Sequence, residues 1–311
     1  MSDRSVLRSL PLAVLYGGTS GEREVSLAGA KTVLAGLREA GFEPRAIDTG
    51  EDQWWRQLDG VRLVFNVQHG AGGEDGATQG LLESMGIVGT GSGVLGSALA
   101  MDKLRCKRLW QAVGLPTAEF AAIDNADELA SLLEQWGAAF IKPAREGSSL
   151  GMSRVDRPEA GVAALRLARE HDDVVLAERL IDGPEYTVAI LGERCLPAIR
   201  VEAAGAFYDF DAKYRTGQTR YHIPAGLTDA EERELGELAL AAFRAVGASV
   251  WGRVDAMRDR DGRFLLLEVN TVPGMTERSL VPMAAGAAGM TIPELLEEIL
   301  WLSWTAREAQ P

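Results

Sequence analysis

Continuous apolar runs alternate along this chain with segments whose apolar residues recur every three or four positions, which predicts strands and helices in turn. Leu12 to Tyr16 reads as a buried strand, and Leu27, Ala30, Leu34 and Leu37 fall at helical spacing before Gly41 closes the helix. Val61 to Val67 predicts a second strand, and Ala77, Leu81, Leu82 and Met85 line a helix ending at Gly86. This order is that of a parallel α/β unit. A helix from Asp102 to about Val113 follows, stopped by Gly114 and Pro116, with strands expected at Phe120 to Ile123 and Ala138 to Lys142. Strands at Asp173 to Glu178 and Tyr186 to Leu191 flank a turn at Ile181 to Pro184. Gly205 to Gly226 has no clear period and predicts a long loop, a feature that usually serves function inside a compact domain. A helix from Thr228 to about Val246 leads into a hairpin, and helices at Leu280 to Ala288 and Ile292 to Trp301 close the chain.

The hairpin carries the sharpest pattern. Asp261-Gly262 between apolar runs predicts a two-residue turn, which sets Asp255 opposite Glu268 and Arg253 opposite Asn270 on one face. Leu265, Leu267 and Val269 then supply the opposite, buried face. Facing carboxylates lie roughly 5 Å apart at Cβ and repel unless a cation sits between them. Oxygen-only ligands suit Mg²⁺, which takes one or two carboxylates and completes its octahedron with water and phosphates. The alternative is a solvated hairpin with acidic decoration, and a one-residue slip at the turn abolishes the pairing.

Composition narrows the classes. With 46% hydrophobic and 25% charged residues over 311 positions, the chain reads as a soluble protein of two or three domains. Its formal net charge of -13 argues against nucleic-acid and anionic-membrane partners, so any phosphate must be held by local cations against the global field. Cys106 and Cys195 are the only cysteines, which predicts reduced thiols in a cytoplasmic protein rather than a disulfide framework or a zinc site. The run Leu10 to Tyr16 enters Gly-Gly and is too short for a leader, and no segment approaches the ~20 apolar residues of a membrane span.

Glycine-rich stretches follow several predicted strands. Arg145 to Gly151, after the strand ending in Lys142, offers two glycines and the hydroxyls of Ser148 and Ser149 to a phosphate; a plain flexible turn is the alternative. The order is the reverse of a Walker loop. Lys103, Lys142 and Lys213 are three of only five lysines, and together they suit a triphosphate. Gly17 to Glu22 lacks the dinucleotide fingerprint, and Glu22 would instead attract an ammonium group. His69, with Glu74 and Asp75, falls at the same sheet edge in a structural or a functional role. Beyond the hairpin, Gly274 and Ser279-Leu280 lead into a helix whose free amides suit a carboxylate or an oxyanion, while Ser279 as a simple helix cap is the competing reading.

These residues lie in ordered motifs: GGTSGEREVSL at 17 to 27, HGAGGEDG at 69 to 76, MDK at 101 to 103, IKPAREGSSLGM at 141 to 152, GPEYTV at 183 to 188, FYDFDAKY at 207 to 214, GRVDAM at 252 to 257, LLEVNTVPGMT at 266 to 276 and SLVPMAA at 279 to 285. In these motifs, over nearly its whole length, the chain resembles the D-alanine:D-alanine ligases of the ATP-grasp fold. The resemblance implies a parallel α/β domain at 1–95 and two α+β subdomains at 96–182 and 183–311 that sandwich the nucleotide. It implies ATP contacts from Lys103, Lys142, Lys213 and Phe207, Ser149 over the phosphates, and Glu178 and Glu185 at adenine and ribose. Asp255, Glu268 and Asn270 would ligate two Mg²⁺, or Mn²⁺. Glu22, assisted by His69, would hold the first D-alanine; Ser279 and the Leu280 amide the second; Arg253 and the Gly274 amide the oxyanion. Tyr214 would link through Ser148 to Glu22 and close the site. The segment Glu178 to Ile181 departs from the family's frequent Lys and Trp, which bears on Arg179 and Leu180 as adenine contacts.

The implied reaction is ATP-dependent ligation of two D-alanines through an acyl phosphate, in a cytoplasmic homodimer feeding peptidoglycan precursor synthesis. Ligation to another D-amino or hydroxy acid is the alternative. A non-catalytic nucleotide sensor and a nicotinamide dehydrogenase are the competing classes, and the first glycine loop lacks the fingerprint the last requires.

Overall fold

The computed structural model describes residues 4–148, 150–202 and 219–308. Ser149, Phe207, Lys213 and Tyr214 lie outside the described residues. Three sheets organise the rest. The first is parallel, in the order β2-β1-β3-β4, from Leu12–Tyr16 (β1), Arg45–Asp48 (β2), Leu63–Asn66 (β3) and Val88–Gly89 (β4). The second is antiparallel, in the order β5-β8-β6-β7, from Phe120–Ala122 (β5), Ala139–Pro143 (β6), Ser153–Val155 (β7) and Val175–Arg179 (β8). The third, also antiparallel, comprises Glu185–Leu191 (β9), Arg194–Cys195 (β10), Ile199–Glu202 (β11), Arg220–His222 (β12), Trp251–Arg258 (β13) and Phe264–Asn270 (β14). Its order is β12-β11-β9-β13-β14, with β10 paired to β9.

Helices Arg23–Glu39, Ala77–Ser84, Lys103–Ala112 and Asp229–Ala245 stand where the apolar spacing places them. The last begins with a capping box between Thr228 and Glu231, which satisfies donors at both ends of the first turn. Helix Ala126–Trp136 was not anticipated, although its signals are local: the Asn125 side chain accepts from the amides of Asp127 and Glu128, and Leu129 and Leu133 bury one face. Val94–Met101 and Gly161–Arg169 are further unanticipated helices, and the final one runs to Glu308 rather than Trp301.

The largest core joins the two ends of the chain. Val14, Val33, Leu37 and Phe65 from the parallel sheet and its first helix pack with Leu280, Val281, Leu295, Leu296 and Ile299. The C-terminal helices therefore cover the sheet that opens the sequence, and Trp251 and Leu191 of the third sheet enter the same core.

The hairpin corrects one expectation and keeps another. The loop holds three residues, Arg260 to Gly262, closed by the Asp259 amide donating to the Arg263 carbonyl at 2.9 Å. Asp259 draws the turn to itself, because its carboxylate accepts from the amides of Asp261 and Arg263 at 2.9 Å each, and Gly262 takes the left-handed conformation at φ 83°. That shift alone would break the facing pairs. A bulge restores them: Ala256 faces Leu266 but Asp255 faces Glu268, leaving Leu267 as the extra residue. The buried face is accordingly Phe264, Leu266 and Val269, with Leu265 and Leu267 only half-buried, because the bulge turns Leu267 toward the site.

Leu296→Ala should lower stability by ~2–5 kcal/mol, since a fully buried leucine in a shared core leaves a cavity the two ends cannot both close. Urea unfolding measures this, and a shift under about 1 kcal/mol would separate the C-terminal helix from the core of the parallel sheet.

Candidate functional site

Two cavities of about 610 and 940 Å³ meet at the hairpin, with Lys103 and Glu268 lining both. The smaller lies between the second and third sheets. Phe140, Leu180, Ile181, Met257 and Leu267 give it apolar walls, and Lys142, Glu178 and Glu185 give it charge. The larger is bounded by the edge of the parallel sheet and by the start of helix Leu280–Ala287, and it takes in Glu22, His69, Ser148, Arg253, Asn270, Gly274, Ser279 and Leu280. Every described residue expected at the site thus lines one cavity or the other.

At the junction, Asp255 is buried and Glu268 faces it. Protein cations compensate both. Arg253 donates through Nε and Nη2 to the two Asp255 oxygens at 2.8 and 2.7 Å, and Thr187 Oγ1 donates to Oδ1 at 2.6 Å. Lys103 Nζ lies 3.1 Å from Glu268 Oε2 and donates to the Glu146 carbonyl at 2.6 Å. Burial pulls the Lys103 ammonium down, but Glu268, joined by Glu22 and Glu74, offsets it and leaves the group above its ordinary value. Asn270 Oδ1 accepts the Val272 amide at 3.1 Å. Two carboxylates and an amide are an oxygen-only set that fits a hard divalent cation while leaving positions for water and phosphate. Among the described residues no cluster of three His, Cys, Asp or Glu side chains forms a closed metal site.

Lys142 Nζ donates to Glu178 Oε1 at 2.6 Å, and Lys107 Nζ stands 2.5 Å from Oε2. Glu178, expected at the adenine and ribose, is therefore ion-paired with two ammonium groups and almost fully buried, although it contributes to the cavity wall. Burial pushes its carboxyl up, but the two ammonium groups together bring it down to about 2. Leu180 lines the cavity, whereas Arg179 points to the surface and pairs with Glu119 at 2.6 Å.

In the larger cavity Ser148 Oγ donates to Glu22 Oε2, and Glu22 Oε1 is buried with no hydrogen-bond partner among the described residues. An orphaned carboxylate oxygen facing a cavity suits an ammonium group. A Cβ at position 147 would stand 2.4 Å from that oxygen, so any larger residue there would displace the Glu22 carboxylate. His69 Nδ1 pairs with Glu74 at 3.2 Å, and the imidazole is buried. Burial pulls the imidazole down, but Glu74 and Glu22 hold it above its ordinary value. Ser279 does not cap the helix it precedes; its Oγ accepts the Thr276 amide at 3.0 Å and exchanges a 2.8 Å hydrogen bond with the Thr276 hydroxyl. The capping alternative is set aside, and the start of helix Leu280–Ala287 lines the cavity through Ser279 and Leu280.

The model of the D-ala D-ala ligase C-terminus matches residues 109–301. A D-alanine--D-alanine ligase of Alkalilimnicola ehrlichii is 54% identical over 299 residues, 96% of each chain. The chain belongs to the D-alanine–D-alanine ligase family. Solved family members share the architecture: the Bacillus anthracis D-alanine--D-alanine ligase superposes with TM-score 0.87 at 32% identity over 97% of this chain and all of its own. Its complex with ATP gives TM-score 0.85 at 30% identity, with the same coverage. A D-Ala:D-Ser ligase of Enterococcus faecalis gives 0.82 at 30% identity, over 94% of this chain and 99% of its own. The fold is thus the ATP-grasp fold of the ligase family. Thr187 and Lys107 were not singled out in the sequence; Thr187 falls within GPEYTV, but nothing local shows that its hydroxyl meets Asp255 across neighbouring strands.

Glu178 titrates near 4.5 when unfolded and about 2 when folded, so its pairing contributes stability fully above pH 4.5 and loses it as pH falls toward 2. Acid unfolding should show this slope in the wild type and lack it in Glu178→Gln; equal slopes would mean that other carboxylates dominate.

Proposed function

We propose that the protein joins two D-alanines into D-alanyl-D-alanine with cleavage of ATP to ADP and phosphate. What supports this best is the meeting of the two cavities at Lys103 and Glu268, which sets an apolar pocket with lysines against an amino-acid pocket with Glu22, Arg253 and Ser279. The base and sugar occupy the smaller cavity between Phe140, Leu180, Met257 and Leu267, with Glu185 at the ribose and Lys142 on the phosphates. Lys103, on the boundary, reaches the terminal phosphate from its place beside Glu268. Lys213 and Phe207 join the nucleotide, and Ser149 covers the phosphates.

The first D-alanine places its ammonium at the free oxygen of Glu22, with His69 near its carboxylate. One carboxylate oxygen attacks the γ-phosphorus, the bond to ADP breaks, and an acyl phosphate forms. The second D-alanine anchors its carboxylate on Ser279 and the Leu280 amide, and its neutral amine attacks the acyl carbonyl. Arg253 and the Gly274 amide stabilise the oxyanion, whose collapse expels phosphate and leaves the peptide bond once the amine has lost its proton. Mg²⁺ held by Asp255, Glu268 and Asn270, two ions when loaded, would neutralise phosphate charge. Tyr214, linked through Ser148 to Glu22, closes the site against water that would hydrolyse the acyl phosphate.

We place the reaction in the cytoplasm of a cell building peptidoglycan, in a homodimer with division into domains at 1–95, 96–182 and 183–311. Among the described residues no helix is long and apolar enough to cross a membrane, which accords with that setting.

Phosphate release with D-alanine, D-serine and D-lactate as acceptors tests the assignment: release with D-alanine alone is expected, and release that requires D-lactate would overturn it. Arg253→Ala should slow dipeptide formation by ~10² or more while ATP binding is largely kept. Lost ATP affinity at unchanged turnover would contradict the oxyanion role. Chelation of divalent ions should abolish turnover, and added Mg²⁺ should restore it.

A further inference from the structure

Lys107 belongs to none of the roles above, yet it is one of the largest fully buried side chains and is 0% exposed. It lies one helical turn beyond Lys103 on the helix Lys103–Ala112, so the two ammonium groups extend from one face. Its ammonium donates to Thr117 Oγ1 at 2.6 Å and to the Leu266 carbonyl at 3.2 Å, and forms an ion pair with Glu178 Oε2 at 2.5 Å. Thr117 itself donates to the Leu266 carbonyl at 2.8 Å, and the Leu266 amide donates to Pro116 at 3.0 Å. Leu266 is the residue just before the bulge that brings Glu268 opposite Asp255. Burial pulls the Lys107 ammonium below its ordinary value and Glu178 opposes that pull, so a cation in so dry a place depends on this specific partner.

Charge explains what that partner gains. Glu178 lies between Lys107 and Lys142, and the side chain of Lys142 is 13% exposed at the cavity. One carboxylate shared by two ammonium groups leaves a net positive charge, and the exposed member carries it to the phosphates. Without Lys107, Glu178 would neutralise Lys142 alone.

We propose that Lys107 is a positioning residue for the nucleotide: it takes up the charge of Glu178 so that Lys142 stays cationic toward ATP, and it pins β14 at the residue preceding the bulge. This rests on the ATP-dependent reading of the cavity. Lys107→Met keeps the length of the side chain and removes the charge, and should weaken ATP binding by ~10-fold or more, with the KM for D-alanine unchanged within about two-fold. Lys107→Arg keeps charge and donors and should recover most of that affinity.

The experiment is equilibrium binding of a fluorescent ATP analogue beside D-alanine-dependent phosphate release, for the wild type and both variants. Equal losses in Met and Arg, or a D-alanine KM that moves as far as that for ATP, would overturn the proposal. Should Lys107→Met fail to fold, Thr117→Val decides, since it removes one acceptor of the same ammonium. A rise of ~3-fold in the ATP dissociation constant supports the role and an unchanged constant overturns it. A wild type that binds nucleotide but releases no phosphate with D-alanine would count against the proposed reaction alone, and the variant affinities would still decide the role of Lys107.

Discussion

Asp255 and Glu268 face each other across β13 and β14, and two acids so placed repel. The surrounding fold is arranged to offset that repulsion. Arg253 reaches Asp255 from two residues away on the same strand, Thr187 adds a proton donor from β9, and Lys103 reaches Glu268 from a helix belonging to the neighbouring part of the chain. The third of these compensations is also a packing constraint. For Lys103 to reach the hairpin, helix Lys103–Ala112 must lie against β14, and Pro116 and Thr117 fix it there through the backbone of Leu266. The wall between the two cavities and the seam between two sheets are one set of contacts.

The same seam shows why the hairpin was legible for a reason only partly correct. Reading Asp261-Gly262 as the tip gave the right facing pairs, but the loop is longer and the bulge at Leu267 offsets the difference. Asp259 explains the loop, since its carboxylate organises the turn from one strand end. The bulge leaves no mark in the alternation of a single strand: Leu265, Leu266 and Leu267 are identical, and only the partner strand decides which faces inward. The sequence-level error in the buried face follows directly.

Elements with strong local signals were legible and those fixed by distant partners were not. The helix capped by Thr228 and the strand Leu12–Tyr16 carry their reasons within a few residues. β4, β10 and β12, of two or three residues each, exist because a longer neighbour offers them hydrogen bonds. Site residues divide likewise. Glu22, Ser148 and Ser279 stand in glycine-rich or turn contexts that mark a ligand, whereas Lys107 sits in the middle of a helix where a lysine ordinarily faces water. Nothing within its own helix tells of Glu178, seventy-one positions further on.

Lysine usage ties these observations together. The chain carries a net charge of -13 and prefers arginine, so a polyanion approaching it meets an unfavourable field except where cations gather. Several arginines are already occupied with carboxylates: Arg23 with Asp48, Arg145 with Asp172 and Arg263 with Asp259. Lys103, Lys107 and Lys142 converge on two acids, Glu268 and Glu178, so that three ammonium groups meet two carboxylates. A compact ammonium suits this better than a guanidinium, because it offers three protons in a tetrahedral spread to acceptors on different strands. Lys103 and Lys142 bring that charge to the smaller cavity, where apolar walls exclude water and strengthen each interaction an ammonium group makes.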